Sequence, residues 1–313
     1  MGIKGNGARV AAVLAAVSLV VGIVSPAAAQ AAPRRVVHLV SGDQAAAKFW
    51  TPANMRAATP LDGPLRTVTD LVDSAARGLP AVIAPVAAST AGAPWTEGGK
   101  VTTTAGRVFF LFNGAKASCS GDAVTSGNKS VVITAGHCVK YQGTWHTDWV
   151  FVPGYDNGNA PYGVWTASKT LTTPQWNAGE DLNYDVGAAV VNPLDGRYLT
   201  DVVGGQGIAF NQSRGQQMYS FGYPAASPYD GTKLIYCAGT AFTDFIQSDD
   251  NGLRCDMTGG SSGGPWFLGF DASTGAGVQN SVNSFGYTFL PGYMFGPYFG
   301  ADAQTLYNTA AAS

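Results

Sequence analysis

Gly259-Gly260-Ser261-Ser262-Gly263-Gly264-Pro265 places a serine, Ser262, among glycines on both sides. A serine set this way presents its hydroxyl on a sharp turn, and the glycines let backbone N–H groups point at a developing oxyanion. Alone, the pattern equally describes a flexible polar loop, so its meaning depends on a base elsewhere in the chain. A serine nucleophile needs one, most often histidine. The chain has three histidines: His38, His137 and His146. His38 lies in an N-terminal region of different composition. His146 sits in a polar aromatic loop and reads as a surface residue. His137 stands in Thr134-Ala135-Gly136-His137-Cys138, directly after the apolar run Val131-Val132-Ile133. No histidine follows Ser262, which excludes the α/β-hydrolase order, where the base comes after the serine. The remaining order, His before Ser, fits either a His-Asp-Ser or an Asp-His-Ser arrangement.

The surrounding sequence is that of a β protein. Charged residues make up 12% of the 313, about half the usual share of roughly 25%, so the chain lacks the Glu/Lys-rich stretches of exposed helices. From Gly106 onward, short apolar runs alternate with turn residues. Strands are expected at Arg107–Phe112, Ser130–Thr134, Trp149–Val152, Val186–Val191, Gln217–Phe221, Lys233–Tyr236, Pro265–Leu268, Gly277–Phe285 and Tyr287–Leu290. A short helix is expected from Ala301 to Thr309. The pattern predicts an all-β barrel or sandwich. A net charge of −2 gives no reason to expect nucleic acid or an anionic membrane as partner.

The N-terminus reads as an export signal. Lys4 and Arg9 precede an apolar stretch from Val10 to Val24, followed by Ala27-Ala28-Ala29, the small-residue site of cleavage. The protein is therefore expected outside the cell, with no stable membrane association after cleavage. All four cysteines, Cys119, Cys138, Cys237 and Cys255, lie beyond this segment, and an even count in an exported chain argues for two disulfides. Cys119–Cys138 and Cys237–Cys255 are favoured because each closes a short loop. No C-x-x-C pair suggests zinc, and neither a metal nor another cofactor is expected. Residues 30 to 100 contain Trp50-Thr51-Pro52-Ala53-Asn54-Met55 and an Ala/Pro/Thr-rich stretch from Ala81 to Pro94. Thr51-Pro52 reads as a helix N-cap and first helical position, and the Ala/Pro/Thr stretch as a linker.

Together, Thr134-Ala-Gly-His-Cys138 and Gly260-Ser-Ser-Gly-Gly-Pro265 resemble the two signature motifs of the trypsin-like, chymotrypsin-fold serine peptidases. Thr258-Gly-Gly before the serine pair and the Trp-Thr-Pro-x-x-Met phrase look closest to the bacterial secreted glutamyl-endopeptidase-like branch. The resemblance implies a double six-stranded β-barrel, with a first barrel at about 101–197 and a second at about 198–300, preceded by a signal peptide (1–29) and a pro-segment with linker (30–100). It implies a secreted, monomeric serine endopeptidase acting on protein or peptide substrates. A binding homologue without activity, or an esterase on the same fold, is the alternative.

The family's residues carry over by position. His137 and Ser262 would be base and nucleophile. The orienting Asp is expected to be Asp185, leading into the apolar strand Val186–Val191, with Asp181 as rival. The oxyanion hole would be the amides of Gly260 and Ser262. Ser284-Phe285-Gly286 match the strand that pairs with substrate. Two positions depart from the pattern. Ser261 stands where the trypsin branch has Asp, so trypsin-style activation by a freed N-terminus is not expected. Ser284 stands where glutamyl endopeptidases are expected to place a His, which argues against glutamyl specificity. Asp256, six residues before Ser262, is the candidate pocket-floor acid that would select Arg or Lys.

Overall fold

The computed structural model describes residues 1–3, 35–40, 44–62 and 90–313. The chain divides into two units, Met1–Pro33 and Arg34–Ser313, and the second carries the fold. The expected signal peptide lies almost wholly outside the described residues, as do residues 63–89 of the expected pro-segment and linker.

Six strands close into the first barrel. Ala105–Phe112 pairs with Ala115–Ala123 on one side and Thr147–Pro153 on the other. Ala115–Ala123 continues to Val131–Thr134, then Gly187–Val191, then Trp165–Thr172, which returns to Thr147–Pro153. Every pairing in this ring is antiparallel. Side chains alternate across each strand, as the period of two requires. Val108 and Phe110 enter the barrel with Val132, Trp149, Phe151 and Leu171. Phe109, between them, faces out and joins a second cluster with Val150, Val152, Phe221 and Phe267.

The second barrel's strands form two sheets. One has six strands in the order Gly207–Ile208, Ala276–Val282, Pro265–Asp271, Gln217–Gly222, Ile235–Thr240 and Thr90–Pro94. The other has three: Phe242–Thr243, Asn251–Arg254 and Tyr293–Gly296. Both expected disulfides are present; Cys119–Cys138 ties two loci of the first barrel, and Cys237–Cys255 ties the two sheets of the second. The terminal helix Ala301–Ala311 lays Ala303, Leu306 and Ala310 on the first barrel's core.

Two expectations need correction. Tyr287–Leu290 is a turn closed by the Leu290 N–H on the Tyr287 carbonyl, and the strand of that region is Tyr293–Gly296. The stretch read as linker ends in a strand, because Thr90–Pro94 pairs antiparallel with Ile235–Thr240. Small residues with no apolar face still gain ladder hydrogen bonds on an open sheet edge.

Upstream residues are also built into the fold. Val36–Leu39 pairs antiparallel with Trp165–Thr172, and Thr59–Pro60 pairs parallel with Ala115–Ala123. Between them, Thr51 caps the helix Pro52–Arg56 by accepting from the Asn54 N–H. Trp50 is buried against Phe109 and donates from Nε1 to the Asp148 carbonyl at 2.7 Å, and Met55 is buried in the same cluster.

Candidate active site

The strand Val131–Thr134 ends in a single 3-10 turn, Gly136–Cys138, that carries His137. Opposite it, a second 3-10 turn, Leu182–Tyr184, ends on Asp185 just before Gly187–Val191. Pairing of these two strands brings the two turns together. Asp185 Oδ1 accepts the His137 backbone N–H at 2.8 Å, and Oδ2 lies 2.7 Å from His137 Nδ1. Both side chains are fully buried. A carboxylate only accepts, so Nδ1 carries the proton and Nε2 is left as the basic lone pair. That Nε2 is buried and has no hydrogen-bond partner among the described residues. Gly136 is required by close approach: a Cβ there would lie 2.8 Å from the Trp176 ring and 2.9 Å from Asp185 Oδ1.

Among the described residues the serine loop is fixed by hydrogen bonds rather than by an ion pair. Ser261 Oγ donates to the Thr258 carbonyl at 2.8 Å, and Asn283 Nδ2 donates to the Ser261 carbonyl at 3.1 Å. The Ser120 N–H donates to the Ser262 carbonyl at 2.7 Å, and Ser120 Oγ donates to the Gly260 carbonyl at 2.9 Å. These bonds hold the loop of the second barrel against a strand of the first. Gly260 and Gly263 have φ of +93° and +80°, conformations that L side chains rarely adopt. A Cβ on Gly263 would overlap Thr134 Oγ1, so the two signature motifs touch through a glycine.

No family model and no curated protein matches the chain. Solved structures do. The chain is 49% identical to the protease Anisep from Arthrobacter nicotinovorans over 67% of this chain and 96% of that one, with a TM-score of 0.64. It is 45% identical to the thermostable serine protease AL20 from an extremophilic microorganism, over 68% and 99%, with a TM-score of 0.65. This chain belongs to the trypsin-like serine peptidases. A Glu endopeptidase solved with MPD shares the fold at 16% identity, over 71% and 97%, with a TM-score of 0.56.

As a trypsin-like peptidase, the chain carries a cavity of about 100 Å³ beside Ser262. Its walls include Met257, Thr258, Ser284, Phe285, Gly286 and Met294. Phe285 and Gly286, expected on the substrate strand, border this cavity. Ser284 also borders the cavity, but its hydroxyl donates to Asp185 Oδ2 at 2.5 Å and is committed to the acid rather than to a substrate side chain. Asp256 is not brought to the cavity. It is exposed, and its Oδ1 accepts from the Tyr229 hydroxyl at 2.6 Å. Met257, the next residue, faces the cavity instead, because successive residues of an extended segment point to opposite sides. Asp181, the rival acid, caps the 3-10 turn by accepting from the Asn183 N–H.

His146 is the clearest departure from the sequence reading. It is fully buried rather than superficial, stacked on Phe110 with ring centroids 4.1 Å apart. Burial lowers its pKa from 6.5 to about 4, so the ring is neutral. The three residues Cys119, His137 and Cys138 cluster closely enough to hold a metal, but both cysteines are in the disulfide and His137 is held by Asp185. Trp176, whose Nε1 donates to the Lys140 carbonyl, packs beside His137 and carried no sequence signal beyond its size.

Proposed function

We propose that this protein is a secreted serine endopeptidase that cleaves peptide bonds through an acyl-enzyme. Ser262 attacks the carbonyl while His137 Nε2 takes its proton and then delivers it to the leaving amine. Asp185 fixes the His137 tautomer and stabilises the imidazolium. The amides of Gly260 and Ser262 receive the oxyanion. The observation that carries this reading is the buried Asp185–His137 pair with a partnerless Nε2, in a chain whose serine loop is bonded onto the same barrel.

The cavity supports an apolar side chain before the scissile bond. Met257, Phe285 and Met294 are apolar, and no lysine, arginine or histidine is among the described residues that line it. An acidic side chain would find no cationic partner among these lining residues. Export rests on the N-terminal pattern together with two disulfides. Among the described residues no helix is long and apolar enough to cross a membrane.

The test is Ser262→Ala. The variant should keep the wild-type melting temperature and lose kcat by a factor on the order of 10⁶. A folded Ser262→Ala enzyme that cleaves casein at the wild-type rate overturns the proposal.

A further inference from the structure

Residues 59–62 lie in the cleft. The Leu61 N–H donates to the Ser118 carbonyl at 2.9 Å, and the Gly260 N–H donates to the Leu61 carbonyl at 3.4 Å. Gly260 N–H is one of the two amides that receive the oxyanion. Asp62 lines the cavity beside Ser262, Ser284 and Phe285. A Cβ on Gly259 would overlap the Asp62 carboxylate, so the glycine leaves room for this residue. The Leu61 side chain packs against the first barrel's core.

The direction of this segment decides what it does. In a productive complex His137 protonates the leaving amine, so the half of the substrate after the scissile bond must leave on the His137 side. His137 is flanked by Cys138, which is bonded to Cys119 on the strand Ala115–Ala123. The half before the scissile bond must then lie by the cavity at Ser284–Gly286. Here the order is inverted. Thr59 and Pro60, which come first, lie opposite Ala117 and Ser118, and the pairing is parallel. Asp62, which comes last, lies at the cavity. The Leu61 carbonyl reaches the Gly260 amide, and the chain runs on from it to Asp62 at the cavity, so the amine half of the Leu61–Asp62 bond continues toward the side where a substrate's acyl half belongs.

We propose that Thr59–Asp62 is a reverse-running occupant of the substrate cleft, which keeps Ser262 latent without offering it a cleavable bond. The upstream anchors fit this role. Lys116 Nζ donates to Asn54 Oδ1 at 3.1 Å, Arg56 Nη1 donates to the Asn157 carbonyl at 3.2 Å, and Trp50 is buried. The inference rests on the reading of Ser262 as nucleophile. It goes beyond that reading by naming the occupant, its polarity and the bond it spares.

The experiment uses the full chain, its intactness checked by mass, and measures the rate at which a fluorophosphonate labels Ser262. The intact wild-type chain should label at least tenfold more slowly than the same chain after its upstream segment has been digested away. Leu61→Asp should speed labelling of the intact chain at least tenfold. A peptide spanning residues 44–62 should compete with the phosphonate on the digested enzyme and stay uncut between Leu61 and Asp62. This peptide arm keeps the test decisive if Leu61→Asp folds poorly. Equal labelling of intact and digested chains overturns the proposal and leaves the nucleophile standing. Products ending at Leu61 overturn the reversed polarity. If neither form labels, the reading of Ser262 falls, and this inference with it.

Discussion

His146 Nε2 lies 2.8 Å from the carbonyl oxygen of His137, and since a carbonyl only accepts, His146 donates. The backbone that carries His137, the proposed general base, is therefore held by a second imidazole in the core. His146→Phe keeps the stack on Phe110 but removes the donor. We expect kcat to fall about tenfold with KM nearly unchanged, the loss of one net hydrogen bond of about 1.4 kcal/mol. His146→Gln, which restores a donor, should recover part of it. Steady-state kinetics on a peptide anilide checks both.

The same ring predicts a pH dependence of stability. Its folded pKa, about 4, lies below the 6.5 of the unfolded chain, so between these values the unfolded state binds more protons. Stability therefore rises with pH across this window and is lost as pH falls from 6.5 towards 4, by up to about 3 kcal/mol. Urea midpoints at pH 4.5 and 7 should show this for the wild type and show a smaller difference for His146→Phe.

Ser284→Ala removes the hydroxyl that donates to Asp185 Oδ2. Hydrogen bonds to charged groups contribute about 1.5–3 kcal/mol, so kcat/KM should fall by roughly 10- to 100-fold while cleavage preference stays the same. A change of preference without loss of rate, measured on a peptide library, would assign Ser284 to substrate instead.

Asp122 is fully buried on the strand Ala115–Ala123, and neither carboxylate oxygen has a well-formed hydrogen bond among the described residues. Burial raises its pKa well above 3.8, against weaker opposing pulls from the nearby Thr104 hydroxyl and Lys100. With the folded value raised, its contribution is present below about 3.8 and is lost as pH rises above it. Asp122→Asn should therefore gain stability relative to wild type as pH goes from 4 to 8, read as a growing difference in urea midpoints.

The candidate site was marked in the sequence where residue type and local order set backbone geometry. The glycines around Ser262, the strand before His137 and the apolar entry after Asp185 each encode backbone geometry. The strand Ala115–Ala123 was not legible. Its Ala-Lys-Ala-Ser-Cys-Ser-Gly-Asp-Ala does alternate, but the inward positions are only Ala, Cys and Gly, too small and weakly apolar to mark a strand, and it is held by ladders on both sides, where Gly121 admits Val108 and Val132 to within about 3.1 Å of a Cβ position. His146 was misread for a related reason. Its neighbours Thr144, Trp145, Thr147 and Asp148 are polar or amphipathic, and the ring is held inward by contacts with other segments: its N–H on the Val139 carbonyl, Nε2 on the His137 carbonyl and the stack on Phe110. Asp256 failed because counting back from the serine fixes position in the chain but not which of two adjacent side chains faces the cavity.

Trp50 gives the upstream segment a property that outlasts the covalent chain. Its burial is worth about 2–3 kcal/mol by transfer, and it belongs to the same sheet-spanning cluster as Phe109 and Phe221. While the backbone between residues 62 and 90 is intact, the segment's occupancy is unimolecular and does not depend on how much protein is present. A single cut in that interval makes it bimolecular without removing any contact. From then on activity is governed by mass action: a crowded, newly cleaved population stays largely silent and switches on as it is diluted into its surroundings.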